Sequence, residues 1–229
     1  MNIKLERFND QEALYNRAFE IIGQHLNAGA KSFGLATGGT MVPLYSRICQ
    51  SDLDFSQCTS VNLDEYVGLP RQHDESYYAF MQNNLFQTKP FKETNLPNGE
   101  AQNVEEEASQ YEQLVQSKNV DLQLLGVGEN GHIGFNEPGT PFTSETHVVQ
   151  LTPSTREANA RFFDSIDEVP EKAITLGIST ILRAKCILLL AVGEKKRAAL
   201  DALLSGEITE KFPITSLRTH SNVIVLTDL

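Results

Sequence analysis

Residues 120–131 read Val120-Asp121-Leu122-Gln123-Leu124-Leu125-Gly126-Val127-Gly128-Glu129-Asn130-Gly131. The apolar first half predicts a buried strand, and the second half is a G-x-G-x-x-G loop. In a dinucleotide-binding fold these glycines open a helix whose N-terminus takes a pyrophosphate. Here no helix is predicted, because His132 is followed by Phe135-Asn136-Glu137-Pro138, Gly139 and Pro141, which interrupt the chain. No nucleotide cofactor is therefore expected.

Strand-like runs alternate with helical patterns along the rest of the chain, which is typical of an α/β fold with a mostly parallel sheet covered by helices. The predicted strands are 32–36, 59–63, 120–127, 147–151, 173–176, 186–192 and 222–227, and the predicted helices are 11–27, 194–204 and a segment containing Val104, Ala108, Tyr111, Leu114 and Val115. The longest turn-rich stretch, 88–103, is too short to separate two cores, so residues 1–229 are predicted to form a single domain.

Composition excludes several classes of partner. A formal net charge of −11 over 229 residues argues against binding to nucleic acid or an anionic membrane. The first residues contain no apolar core for a signal peptide, and the longest apolar run, 186–192, is too short to span a bilayer, so a cytoplasmic location is predicted. Three cysteines without a C-x-x-C spacing indicate neither a disulfide framework nor a zinc site.

Loops at the carboxyl ends of parallel strands carry function in such folds, and three of them are unusual here. The first, Thr37-Gly38-Gly39-Thr40, could close on an anion through backbone N–H groups and hydroxyls, with Pro43 in the first turn of the helix that follows. A tight turn with a helix cap explains the same residues equally well. The lysine that makes a nucleotide-binding P-loop specific is absent from it.

The second loop contains Asp64 and Glu65, and the third contains His132 and Glu137. Acid pairs at a strand end are most often solvated or helix-capping, yet a partly desolvated carboxylate there suits proton abstraction beside a carbonyl. His132 could act as a general acid or base oriented by Glu137, while the spacing matches no common zinc site, so no metal is expected.

These loops together resemble the glucosamine-6-phosphate deaminase family, also called glucosamine-6-phosphate isomerases. The similarity covers essentially the whole chain: T-G-G-T at 37–40, D-E-Y-V-G-L at 64–69, G-H-I-G-F-N-E-P at 131–138 and R-F-F-D at 161–164. The 6-phosphogluconolactonases share the architecture but lack the F-N-E-P and D-E-Y-V-G-L segments.

The resemblance implies a modified Rossmann-type three-layer sandwich and a cofactor-free hydrolytic deamination of glucosamine 6-phosphate to fructose 6-phosphate and ammonia, within N-acetylglucosamine catabolism. It implies that His132, assisted by Glu137, opens the sugar ring and that Asp64 moves a proton between C2 and C1. It also implies that the substrate phosphate is held by Thr37, Gly38, Gly39 and Thr40 together with Arg161 and Lys196, each of which is by itself most simply a surface charge.

Two departures from the family pattern matter. Many members carry Asp where this chain has Asn130, so Asn130 is expected to orient His132 while any carboxylate–histidine relay depends on Glu137. Members activated by N-acetylglucosamine 6-phosphate have basic residues where this chain reads His147-Val148-Val149-Gln150, and a longer C-terminal tail. No such activation and a monomer are therefore predicted.

The sequence argues against two alternative functions. A non-catalytic sugar-phosphate sensor would need an output module, and the sequence has no room for a helix-turn-helix segment and the wrong charge for DNA. A dehydrogenase would need the helix that is not predicted after Gly131.

Overall fold

The computed structural model describes residues 3–160 and 163–229, with the backbone alone for Ser154 and Ala158. Its main feature is a seven-stranded parallel sheet, with the strand order β1-β10-β9-β6-β2-β3-β5. The strands are β1 (Ile3–Arg7), β2 (Ser32–Leu35), β3 (Thr59–Asn62), β5 (Glu93–Asn95), β6 (Leu122–Gly126), β9 (Ile187–Ala191) and β10 (Val223–Thr227). A small antiparallel sheet joins β4 (Asp64–Tyr66), β8 (Lys172–Thr175) and β7 (His147–Gln150), with β8 in the middle.

Seven α-helices connect these strands in the described part of the chain. They are α1 (Gln11–Asn27), α2 (Val42–Cys49), α3 (Tyr77–Met81), α4 (Val104–Lys118), α5 (Pro153–Asn159), α6 (Ile178–Ile181) and α7 (Arg197–Ser205). A π-helical turn, Gln82–Phe86, continues α3, and 3-10 turns occupy Ile166–Glu168, Glu194–Lys196 and Pro213–Thr219. No described helix is long and apolar enough to cross a membrane.

Local sequence explains the main elements. Asp10 caps α1 by accepting a hydrogen bond from the Ala13 N–H at 2.8 Å, and the apolar residues of that helix recur on the face that is buried. In the centre of the main sheet every residue of β9 is buried, because parallel strands are covered on both faces. Gly34 of β2 allows the neighbouring Gln123 side chain to lie flat on the sheet, since a Cβ there would come 2.0 Å from its Oε1.

The predicted α/β class with a mostly parallel sheet is confirmed, and all seven predicted strands exist within two residues of their predicted ends. Three further strands, β1, β4 and β5, were not predicted. The first and last are edge strands, and β4 reads Asp-Glu-Tyr, so none shows the apolar run of a central strand. The predicted helix 194–204 begins as the 3-10 turn Glu194–Lys196 before α7.

The small sheet fixes the position of Asp64. The chain leaves β3 at Asn62, crosses through Leu63 and enters β4, where Asp64 pairs with Thr175 of β8. Leu63 is held on both sides of this crossing, because its N–H donates to Leu35 and its carbonyl accepts from Leu176. Asp64 therefore lies at the junction of the two sheets, at the carboxyl end of the central strands.

Candidate active site

Four neighbouring strands of the main sheet, β9, β6, β2 and β3, end at one edge and lead into the segments singled out from sequence. The 3-10 turn of Lys196 follows β9, the His132 loop follows β6, the loop 37–40 follows β2, and Asp64 follows β3. Since the strands are parallel and adjacent, their carboxyl ends meet at this edge.

The glycines after β6 shape a pocket for the imidazole of His132. The Gly128 N–H donates to the His132 carbonyl at 2.9 Å, and a Cβ on Gly128 would come 2.1 Å from His132 Cε1. The ring therefore occupies the space that a side chain at Gly128 would need. Gly131 has φ +84 and donates back to the Gly128 carbonyl, so the chain turns here and no helix begins. The missing helix after Gly131 is confirmed.

Asn130 lies between His132 and Glu137 and bonds to both. His132 Nδ1 is 2.8 Å from Asn130 Oδ1, and Asn130 Nδ2 donates to Glu137 Oε2 at 2.7 Å. A carboxylate only accepts hydrogen bonds, so it fixes the amide with its NH₂ toward Glu137 and its oxygen toward His132. Nδ1 must then carry the proton, which leaves the Nε2 lone pair of a neutral ring available as a base.

Glu137 has a second partner that sequence reasoning missed. Its Oε1 accepts a hydrogen bond from the Thr155 hydroxyl at 2.8 Å, while its Oε2 is also 3.6 Å from His132 Nδ1. Thr155 lies in the first turn of α5, where Thr152 caps the helix by accepting from the Thr155 N–H. No motif signals Thr155, because the contact joins residues that are far apart in the chain.

The electrostatic surroundings of His132 favour the neutral ring. Burial lowers its pKa, the Glu137 carboxylate opposes that shift, and the Lys196 ammonium adds to it. The side chain nevertheless retains a 31% exposed fraction, so it can reach a ligand. His132 therefore has the properties of a general base at neutral pH.

Asp64 is a buried carboxyl group without a hydrogen-bond partner in the described residues. Burial, together with the neighbouring charge of Glu65, raises its pKa from the ordinary 3.8 to about 8. Its Oδ2 faces Gly134 of the His132 loop, where a Cβ would lie 3.6 Å from that oxygen and 2.9 Å from Thr175 Oγ1. Gly134 thus lets the loop of His132 come close to Asp64.

Glu65 has a different role from Asp64. Its carboxylate accepts hydrogen bonds from the backbone N–H groups of Tyr66, Tyr77 and Tyr78 at 2.8, 3.0 and 2.9 Å. Two of these donors belong to the free N-terminal end of α3, which a carboxylate stabilises. Of the two readings that the sequence left open for this acid pair, helix capping applies to Glu65 and the partly desolvated carboxyl group to Asp64.

The loop 37–40 contains backbone donors that no described residue uses. Gly38 and Gly39 are exposed, Gly38 has φ +97, and the N–H groups of Thr37, Gly38, Gly39 and Thr40 have no acceptor within the described residues. Pro43 lies in the first turn of α2, as predicted. Unused donors at the start of a helix form an environment for an anion.

Lys196 belongs to the same edge, since it lies in the 3-10 turn after β9 and its charge acts on His132. Arg161, the other predicted phosphate ligand, lies outside the described residues. Within the described ranges, no group of three or more His, Cys, Asp and Glu side chains is arranged to hold a metal ion.

Comparison with known proteins shows the family to which the chain belongs. The family model described as "Glucosamine-6-phosphate isomerases/6-phosphogluconolactonase" matches residues 9–226. The glucosamine-6-phosphate deaminase of Lysinibacillus sphaericus is 60% identical over 204 residues, which cover 89% of this chain and 92% of the relative. The chain belongs to the glucosamine-6-phosphate deaminase family.

Solved structures separate this family from its neighbour. The structure of a monomeric glucosamine-6-phosphate deaminase superposes with a TM-score of 0.95 at 46% identity, covering 98% of this chain and 96% of that one. The 6-phosphogluconolactonase of Thermotoga maritima gives a TM-score of 0.79 at 17% identity over 98% and 99% of the two chains, which shows a shared fold alone. The deaminase family resemblance drawn from the four sequence motifs is thus confirmed.

Proposed function

We propose that this protein catalyses the conversion of glucosamine 6-phosphate and water to fructose 6-phosphate and ammonia. The observation that carries the proposal is that two proton-handling groups lie at one edge of the sheet. The buried carboxyl of Asp64 has no hydrogen-bond partner among the described residues, and His132 is oriented through Asn130 toward Glu137. An aldose–ketose isomerisation with loss of an amine needs both a ring-opening group and a base at carbon.

Ring opening is the task of His132. Its Nε2 takes the proton of the anomeric hydroxyl and returns one to the ring oxygen, which yields the open-chain aldehyde. Asn130 keeps the proton on Nδ1, and Glu137 stabilises the imidazolium that forms in between, because its Oε2 lies 3.6 Å from Nδ1.

Asp64 performs the isomerisation. Its carboxylate removes the proton from C2 while the ammonium group of the substrate gives a proton to O1, and this forms an enolamine. Asp64 then delivers the C2 proton to C1, which leaves an iminium at C2 and a hydroxyl at C1. Water adds at C2 and ammonia leaves, which yields fructose 6-phosphate. In the unliganded site the Asp64 carboxyl is held protonated by burial, and the positive amino group of a bound substrate favours its ionised form.

The phosphate is assigned to Thr37, Gly38, Gly39 and Thr40, with Lys196 and Arg161 as positive partners. The unused N–H groups of the loop support this assignment. We further propose that the enzyme acts without a cofactor in the cytoplasm, in amino-sugar catabolism, as a monomer without allosteric activation by N-acetylglucosamine 6-phosphate.

One assay tests the proposal. Purified protein is incubated with glucosamine 6-phosphate while ammonia and fructose 6-phosphate are followed, with Asp64→Asn as the matched variant and 6-phosphogluconolactone as the competing substrate. Equimolar ammonia and fructose 6-phosphate are expected. The kcat of Asp64→Asn should be lower by ~10²–10⁴-fold. Failure of the unmutated chain to release ammonia would sink the proposal. NADH should leave the melting temperature unchanged.

A further inference from the structure

Four of the six carbonyl groups in residues 35–40, the stretch that contains the loop we assign to phosphate, accept hydrogen bonds from within the protein. Leu35 O accepts from the Leu63 N–H and Gly38 O from the Met41 N–H. The remaining two bonds come from phenols: Tyr45 Oη donates to Ala36 O at 2.5 Å, and Tyr15 Oη donates to Thr40 O at 2.9 Å. By contrast, the backbone N–H groups of residues 37–40 have no acceptor in the described residues.

Peptide geometry converts these carbonyl bonds into donor directions. In a trans peptide the C=O and the following N–H point opposite ways. A phenol that holds Ala36 O inward therefore directs the Thr37 N–H outward. Likewise, the bond from Met41 to Gly38 O directs the Gly39 N–H away from Met41. Tyr15 fixes the Thr40–Met41 peptide, which closes this turn from the other side.

Both tyrosines can hold a backbone carbonyl in a fixed direction. Tyr45 of α2 and Tyr15 of α1 are 0% and 4% exposed, and burial raises the pKa of each, so both stay protonated donors throughout the working pH range. The loop itself contains two exposed glycines and would otherwise rotate its peptides easily. A carbonyl turned toward a phosphate would repel it.

We propose that Tyr15 and Tyr45 are positioning residues of the phosphate site, which keep the carbonyls of Thr40 and Ala36 turned away from the bound anion. This inference rests on the proposed function, because it takes the loop to be the phosphate site. Neither phenol touches the reacting carbons, so both should govern binding of the phosphorylated sugar while leaving the chemical step unaltered.

Tyr15→Phe and Tyr45→Phe test the proposal, because each removes one hydroxyl and keeps the ring. Each variant should raise KM for glucosamine 6-phosphate about 3- to 10-fold, the loss expected for one hydrogen bond, and change kcat less than about 2-fold. The inhibition constant of inorganic phosphate should rise in parallel. The control is Tyr111→Phe, another buried tyrosine, whose hydroxyl binds Asn62 O and Asn95 O outside the loop.

Unchanged KM and phosphate inhibition in both loop variants, or the same KM rise in Tyr111→Phe, would overturn the positioning role. If Tyr45→Phe does not fold, Tyr15→Phe alone decides. If the unmutated chain shows no deaminase turnover, the proposed function fails instead, and the phosphate-dependent rise in melting temperature of each variant still tests the loop.

Discussion

Asp64 and Glu65 are adjacent and almost equally buried. The carboxylate of Glu65 accepts three backbone hydrogen bonds, whereas the carboxyl of Asp64 accepts none within the described residues. The nearby charge of Glu65 also raises the pKa of Asp64, after the larger effect of burial. Glu65 therefore anchors the start of α3 and raises the pKa of Asp64, and we assign proton transfer to Asp64.

Glu65→Gln should lower the pKa of Asp64, because it removes the neighbouring negative charge. Since Asp64 must be ionised to act as a base, the acid limb of the kcat/KM profile should move to lower pH. The variant should also lose about 1–3 kcal/mol of stability, because the amide NH₂ cannot accept one of the three backbone bonds. An acid limb that stays in place or moves upward would contradict this coupling. Glu12→Gln, exposed in the first turn of α1, serves as the control.

Gly128→Ala should displace the imidazole of His132, because the new Cβ would come 2.1 Å from Cε1. The ring must then rotate away from Asn130, and we expect kcat to fall about 10²-fold or more, as when a positioned base is lost. Gly23→Ala is the matched control: its Cβ would lie 3.5 Å from Leu53 Cδ2, an ordinary contact inside α1. That control should keep full activity and gain up to about 1 kcal/mol of stability. Equal activity of the two variants would show that the ring position is not required.

Asn130→Asp should remain active but titrate differently. The new carboxylate would face Glu137 Oε2, which now accepts from the amide at 2.7 Å, so the two acids must share a proton or separate. The added negative charge should raise the pKa of His132, which NMR titration of its imidazole can follow, assigned with His132→Gln. We expect kcat within about 10-fold of the unmutated enzyme at high pH.

Asn130→Leu is the comparison variant, because a leucine side chain neither donates nor accepts hydrogen bonds and so does not fix the tautomer of His132. It should lose far more activity than Asn130→Asp. If Asn130→Asp instead loses activity at every pH as severely as Asn130→Leu, the amide itself is essential and the division of labour between Asn130 and Glu137 is wrong.

The sequence was sufficient for the features that depend on local pattern. Apolar runs located the central strands, and the rule that loops meet at the carboxyl ends of parallel strands brought His132, Asp64, Lys196 and the loop 37–40 to one edge. Local pattern could not distinguish Asp64 from Glu65, because their roles depend on which one faces the free end of α3. It also could not reveal the bridge through Asn130 or the bond from Thr155, since both depend on side-chain directions set by tertiary packing.

The buried carboxyl of Asp64 should reduce the stability of the protein at alkaline pH. Its pKa is about 8 in the folded protein and near 3.8 when exposed, so between these values the native state holds a proton that the unfolded chain releases. The contribution of Asp64 to the free energy of unfolding must then fall as the pH rises across this window, and it is lowest above about pH 8. Asp64→Asn removes this dependence, so its advantage in free energy of unfolding should grow from pH 5 to pH 8.5. Urea unfolding at both pH values measures it, with the exposed Asp201→Asn on α7 as control. An advantage that does not change with pH would mean that Asp64 is ionised throughout, because only a group that is neutral in the folded state links unfolding to proton release in this range.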